Sequence, residues 1–243
     1  MRIELREISK GYASIKGLNL IFEGNCAAAL VGESGSGKST LARMMTFLER
    51  PDSGEILFDG VNITRLRGKR RRLLRADLQL VPQNAAASLD PRLSVGKSIA
   101  EPLRNLTNLS GEEIRRRVET VCEQTAFPAE LLPRLPHELS GGQLKRVCFA
   151  RALAPQPGFV IFDETTGGLD PHLRERALDL IIRLKKDAMR SFLFITHDMD
   201  AALRVADRIL IMRGGSILDD AHADNGRVNF LSGYAKLLIE SDI

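Results

Sequence analysis

Short apolar runs, each stopped by a glycine, a proline or a polar pair, punctuate this chain. They are CAAALV (residues 26–31), LQLV (78–81), FVIF (159–162), FLFIT (192–196) and RILIM (208–212). None alternates apolar with polar positions. Runs of four to six apolar residues between breakers predict strands buried on both faces, and therefore a largely parallel sheet of an α/β fold. Between the second and third runs the period changes. Ser110 with Glu113 three residues on reads as a capping box,. Ile114, Val118, Val121 and Cys122 then recur at helical spacing,. Pro128, Pro133 and Pro136 break the chain before a second helix near 141–154, which Pro155 ends,. The pattern predicts one domain over 1–243, with an α/β core at 1–83 and 155–243 and a helical subdomain at 84–154. The N-terminal stretch, with GEILFDG at 54–60, reads as extra strands at one edge.

Composition narrows the class. At 243 residues and 44% apolar content the chain suits a soluble globular protein,. No apolar run nears the ~18 residues of a membrane span, and Met1-Arg2-Ile3-Glu4 lacks a signal-peptide core,. The expected location is cytoplasmic. Cys26, Cys122 and Cys148 are widely spaced and odd in number, and read as core residues rather than a disulfide or metal framework,. The net charge is +4, with Arg65, Arg67, Lys69, Arg70, Arg71, Arg72 and Arg75 crowded together. That cluster reads as a solvated helix face, with anionic lipid or nucleic acid as alternatives. No aromatic residue interleaves with it, so nucleic acid is not expected as a partner,.

Three motifs carry chemistry. GESGSGKST, from Gly32 to Thr40, matches G-x-x-x-x-G-K-[ST] after a strand and before a helical pattern,. Backbone N–H groups across Gly32, Ser34, Gly35, Ser36, Gly37, Lys38, Ser39 and Thr40 are expected to cradle phosphates at a helix N-terminus. Lys38 reaches the β- and γ-phosphates, and the Ser39 hydroxyl ligates Mg²⁺. VIFDETTGGLD begins at Val160 and ends a buried run on two acids. Asp163 is placed to meet Mg²⁺, and Glu164 to polarise a water attacking the γ-phosphate. LSGGQ, at 139–143, opens a helix with a serine and two glycines, a second anion-binding terminus,. One chain thus carries two unlike halves of a phosphate site, which two facing chains would complete.

Together these motifs resemble the ATP-binding cassette (ABC) ATPases over nearly the whole chain. The resemblance implies a P-loop NTPase (RecA-like) core with a mainly parallel sheet, an N-terminal antiparallel β edge and a helical insertion, binding ATP and Mg²⁺. It places Tyr12 on the adenine. It makes Gln83 a contact of Mg²⁺ and a relay to the helical insertion, and His197 the holder of the γ-phosphate and attacking water. Ser140, Gly141, Gly142 and Gln143 would touch the γ-phosphate of the opposite subunit, and Asp170 would cross the dimer interface. The stretch VPQNAAASLDPRLSVGKSIAEPL, at 81–103, is similar to the peptide and nickel importer subfamily, where it receives a short helix of a membrane subunit. The chain lacks the cysteine-bearing C-terminal extension of many peptide-type members, which leaves peptides, nickel or a metal chelate as cargo. The implied partners are permease subunits, a second ATPase of the same or a related kind, and indirectly a substrate-binding protein. The implied place is the inner face of the cell membrane. A subunit of a soluble phosphonate-cleaving complex is the alternative. The usual family pattern after the acids resembles Asp-Glu-Pro-Thr-Ser-Ala-Leu-Asp. Here Thr165 stands for the proline and Gly167-Gly168 for Ser-Ala, which predicts a looser backbone beyond Glu164,. The tail 226–240 is amphipathic and reads as a docking helix or as packing.

Overall fold

The computed structural model describes residues 1–167, 171–187, 191–224, 227–228 and 230–235. In chain order its strands are β1 (Arg2–Lys10), β2 (Ile15–Glu23), β3 (Ala27–Val31), β4 (Ser53–Phe58), β5 (Val61–Asn62), β6 (Leu78–Val81), β7 (Phe159–Asp163), β8 (Phe192–Thr196), β9 (Arg208–Arg213), β10 (Ser216–Asp224) and the short β11 (Arg227–Val228). Its helices are α1 (Lys38–Met45), α2 (Gly68–Asp77), α3 (Val95–Leu106), α4 (Gly111–Gln124), α5 (Gly141–Leu153), α6 (Pro171–Asp187) and α7 (Met199–Val205). All five apolar runs are strands. They form two compact units, Met1–Arg67 with Arg190–Ile243, and Gly68–Met189.

The first unit holds two sheets. β3 lies between β8 and β9, parallel to both, and β10 is antiparallel to β9. Every residue of β3 and β8 is buried, as strands covered on both faces require,. Helix α7 packs on both strands. The N-terminal strands, expected along one edge, pair among themselves as an antiparallel sheet in the order β2-β1-β4-β5. β2 explains why: Ile15, Leu18, Leu20 and Phe22 are buried while Lys16, Asn19, Ile21 and Glu23 are exposed or half-buried. A strand with one wet face belongs to an antiparallel sheet.

The second unit pairs β6 with β7 in parallel and surrounds them with helices. α5 packs on β6 and on α3 and α4. Ser110 caps α4 through the expected reciprocal box with Glu113. Arg117 of α4 donates to the last carbonyls of α5, Ala154 O at 2.7 Å and Leu153 O at 2.8 Å, so a cation closes a helix C-terminus,. Lys69, Arg70, Arg71, Arg72 and Arg75 of the basic cluster lie on α2, a helix with no buried residue, as a solvated face requires, while Arg65 and Arg67 precede it. α3 continues through Pro102, a residue that removes one intrahelical donor,. Its Ser94 cap and the buried Val95, Ile99 and Leu103 hold it instead,.

Candidate functional site

The register of the parallel strands sets out the chemistry. Val31 of β3 is opposite Thr196 of β8, so Gly32 and His197 leave adjacent strands at the same carboxyl edge. In the other unit Val81 of β6 is opposite Phe162 of β7, so Gln83 and Glu164 each stand two residues beyond a matched pair. Carboxyl ends of parallel strands are where open α/β sheets bind ligands.

The phosphate loop is closely tied. Lys38 is 3% exposed, and its ammonium donates to Gly32 O and Glu33 O, both at 2.7 Å. Ser36 Oγ lies 3.4 Å away. A buried ammonium needs several acceptors, and the loop supplies them from its own backbone. Gly37, at φ 105°, makes the turn into α1, and Leu41 N–H donates to its carbonyl at 2.9 Å,. Lys38, Ser39 and Thr40 form the first turn of α1. Gly215 N–H donates to Ser36 O at 3.0 Å, so the turn between β9 and β10 braces the loop. A β-carbon on Gly32 would run into the carbonyl of Met212. Gly32→Ala is therefore expected to cost about 1–3 kcal/mol. That corresponds to a Tm lowered by about 3–10 °C in a thermal melt, and an unchanged Tm would show the loop free of β9.

Tyr12 sits on a single 3₁₀ turn beside this loop, since the position a Gly37 β-carbon would take is 3.3 Å from Ala13 O. Tyr12 is 66% exposed and its ring is tethered at one end, where the hydroxyl donates to Glu49 Oε1 at 2.5 Å. Lys10 Nζ stands 5.5 Å from the ring centre. Burial pushes the Glu49 carboxyl up, but hydrogen bonds from Tyr12, Lys10 and Arg43 outweigh it and leave the group lowered,. Neither Glu49 nor the other unforeseen contact, Tyr234 with Glu33, carried a sequence signal. Tyr234 Oη donates to Glu33 Oε1 at 2.9 Å, beneath the Arg213 guanidinium at 4.5 Å from the ring. Burial raises the Tyr234 pKa, and the Glu33 carboxylate adds to it. The described part of the tail thus packs, with Phe230 and Ala235 buried. His197 is exposed, between β8 and the Asp198 cap of α7.

In the second unit Asp163 is 7% exposed at the end of β7, and Glu164 follows at φ 46°. A left-handed glutamate costs of order 1–3 kcal/mol, strain of the kind that clusters at active sites. Gln83 Nε2 donates to Glu164 Oε2 at 2.8 Å, joining two residues 81 positions apart. Glu164 O accepts from Gly167 N–H at 3.1 Å, which closes a tight turn over the segment expected to be loose. Asp170 and Gly168 lie outside the described residues. Ser140 caps α5: its Oγ accepts from Gln143 N–H at 3.3 Å, and Gln143 Oε1 accepts from Ser140 N–H at 2.8 Å. Both signature side chains therefore already serve the helix end, leaving N–H groups of Gly141 and Gly142 as the turn's other donors. Asp90 and Arg92, in the Ser-Leu-Asp-Pro-Arg stretch, form a two-point pair at 3.0 Å for each bond. The guanidinium pulls the Asp90 pKa down to about 2,.

A family model described as ABC transporter matches residues 15–167 of this chain. The chain belongs to the ABC transporter family. It is an ABC ATPase cassette. The nickel import ATP-binding protein NikE of Brucella abortus (strain 2308) is 42% identical over 192 residues, covering 79% of this chain and 72% of that protein. The di/tripeptide transport ATP-binding protein DppF of Pseudomonas aeruginosa (strain UCBPP-PA14) is 38% identical over 239 residues, 97% of this chain and 74% of its own length. A dimeric ATP-binding cassette solved in a post-hydrolysis state with ADP and Pi superposes with a TM-score of 0.82 at 27% identity, covering 92% of this chain and 99% of that one. The recurrent relatives are import ATPases, so the soluble phosphonate-type alternative is not favoured. No described helix is long and apolar enough to cross a membrane.

Proposed function

We propose that this chain is the ATP-hydrolysing subunit of an importer whose cargo is a small peptide, nickel or a metal chelate, on the cytoplasmic face of the cell membrane. In this reading 1–243 is one cassette, with 84–154 as the helical part that meets permease subunits. A second ATPase faces it, as a copy or a paralogue, and a substrate-binding protein delivers cargo from the other side. The hydrogen bond between Gln83 and Glu164 carries the reading. Gln83 opens the stretch proposed to receive the membrane subunit, and its amide touches the proposed base.

The loop 32–40 binds the phosphates, Lys38 holds β- and γ-oxygens, and Tyr12 stacks on the adenine. Ser39, Gln83 and Asp163 offer a hydroxyl, an amide and a carboxylate, hard oxygen donors suited to Mg²⁺. When bound with ATP, that ion neutralises phosphate charge. Glu164 accepts a proton from water, and His197 orients that water and the γ-phosphate. Ser140, Gly141, Gly142 and Gln143 close over the γ-phosphate held by the facing chain, and Asp170 links the two halves. Positioned donors at a charge-accumulating phosphoryl group and a positioned base supply the rate.

Affinity purification from membranes, followed by reconstitution with the recovered partners, tests this. A polytopic membrane protein should co-purify, and one of the three cargo classes with its binding protein should raise ATP turnover. Stable recovery with soluble enzymes and no membrane subunit would contradict it.

A further inference from the structure

The residue after Glu164 has an unforeseen partner. Lys145 lies on α5, two residues past Gln143, and its ammonium donates to Thr165 O at 2.5 Å. Burial lowers the Lys145 pKa, so this cation pays a desolvation cost that a solvated lysine would not,. Thr165 is 1% exposed and its Oγ1 is buried with no hydrogen-bond partner among the described residues. What fixes Thr165 is therefore its carbonyl, not its side chain. On one side of that peptide lies Glu164 at φ 46°, and the Glu164 carbonyl accepts from Gly167. A backbone held in so sparsely populated a conformation persists only where neighbours over-determine it.

We propose that Lys145 is a positioning residue for ATP hydrolysis. Its bond to the Thr165 carbonyl holds Glu164 in the left-handed conformation that presents the carboxylate to Gln83. The same lysine stands on the helix whose first turn carries Ser140 to Gln143. One side chain thus ties the signature turn to the base loop of the same chain. A shift of α5 would be passed to the Glu164 backbone through this bond. This inference rests on Glu164 being the base.

Lys145→Met removes the ammonium and keeps an unbranched apolar stem, so folding is expected to survive. It should lower kcat by about tenfold to a hundredfold, the scale on which misplaced reacting groups cost rate, with ATP affinity unchanged. Lys145→Arg, which still reaches a carbonyl, should restore most of it. A second restraint should also substitute. Thr165 N–H makes no hydrogen bond among the described residues and Thr165 has no positive φ, so proline is admissible there and fixes φ near −65°,. In a Thr165→Pro background, Lys145→Met should change kcat less than threefold. Wild-type kcat in Lys145→Met, or an equal loss of kcat with and without Thr165→Pro, would overturn the proposal. If Glu164→Gln keeps turnover, the base assignment has failed instead, and the two failures are told apart by that one control.

Discussion

Glu164→Gln is expected to slow ATP turnover by about 10²–10⁴-fold, the range a positioned general base supplies, while ATP binding stays at the wild-type level. Glutamine keeps the length of the side chain and an amide oxygen that can still accept from Gln83 Nε2, now 2.8 Å from the carboxylate. The geometry survives, and only the capacity to take a proton is lost. ATP binding should not move, because the phosphate loop is organised by Lys38, Gly32, Glu33 and Ser36 in the other unit. Steady-state phosphate release and equilibrium nucleotide binding separate the two. Turnover within twofold of wild type would remove Glu164 from the base role, and lost binding would mean that the substitution had damaged the fold.

Ser140→Arg is expected to abolish turnover to a similar degree by a different route. Ser140 Oγ accepts from Gln143 N–H, so losing the hydroxyl costs about 1 kcal/mol of helix capping,. The larger effect is steric. An arginine at the start of α5 fills the place where a facing chain's γ-phosphate would meet the Gly141 and Gly142 N–H groups. Ser140→Ala separates the terms: it should show the capping loss in a thermal melt yet retain most turnover. ATP binding to the isolated Ser140→Arg monomer should match wild type, since Lys38 and its loop are in place. Lost monomer binding would place Ser140 within the chain's own site and contradict a two-chain arrangement.

How much of this was legible depends on the physics of each feature. Strands β3, β7 and β8 announce themselves because burial on both faces leaves no polar position before the terminal Asp163 of β7 and Thr196 of β8. β2 alternates buried Leu18, Leu20 and Phe22 with exposed Asn19, Ile21 and Glu23, and the apolar Ile21 blurs that signal in the sequence; the pairing of β1 with both β2 and β4 is a long-range fact no local window holds. Helix α3 carries Pro102 in its interior, and its buried face outweighs the proline rule, which concerns the isolated helix,. In the site, residue identities were readable and their contacts were not. The spacing of GESGSGKST and of Asp163-Glu164 is local. The contact of Gln83 with Glu164 comes from the β6–β7 register, and the positive φ of Glu164 from tertiary restraint. Thr165 and Gly167 suggested looseness through composition, whereas Lys145 and a turn hydrogen bond brace that backbone.

In the proposed mechanism ATP is hydrolysed between two cassettes, each lending its signature turn to the other's nucleotide. Light scattering behind size exclusion tests it on the Glu164→Gln chain, with ATP and Mg²⁺ present. The chain should run as a particle of twice its 26.9 kDa, and return to the single mass when Ser140→Arg is added although ATP remains bound. A Glu164→Gln chain that stays at the single mass with ATP bound, alone and in the presence of its co-purifying partner ATPase, would contradict the account.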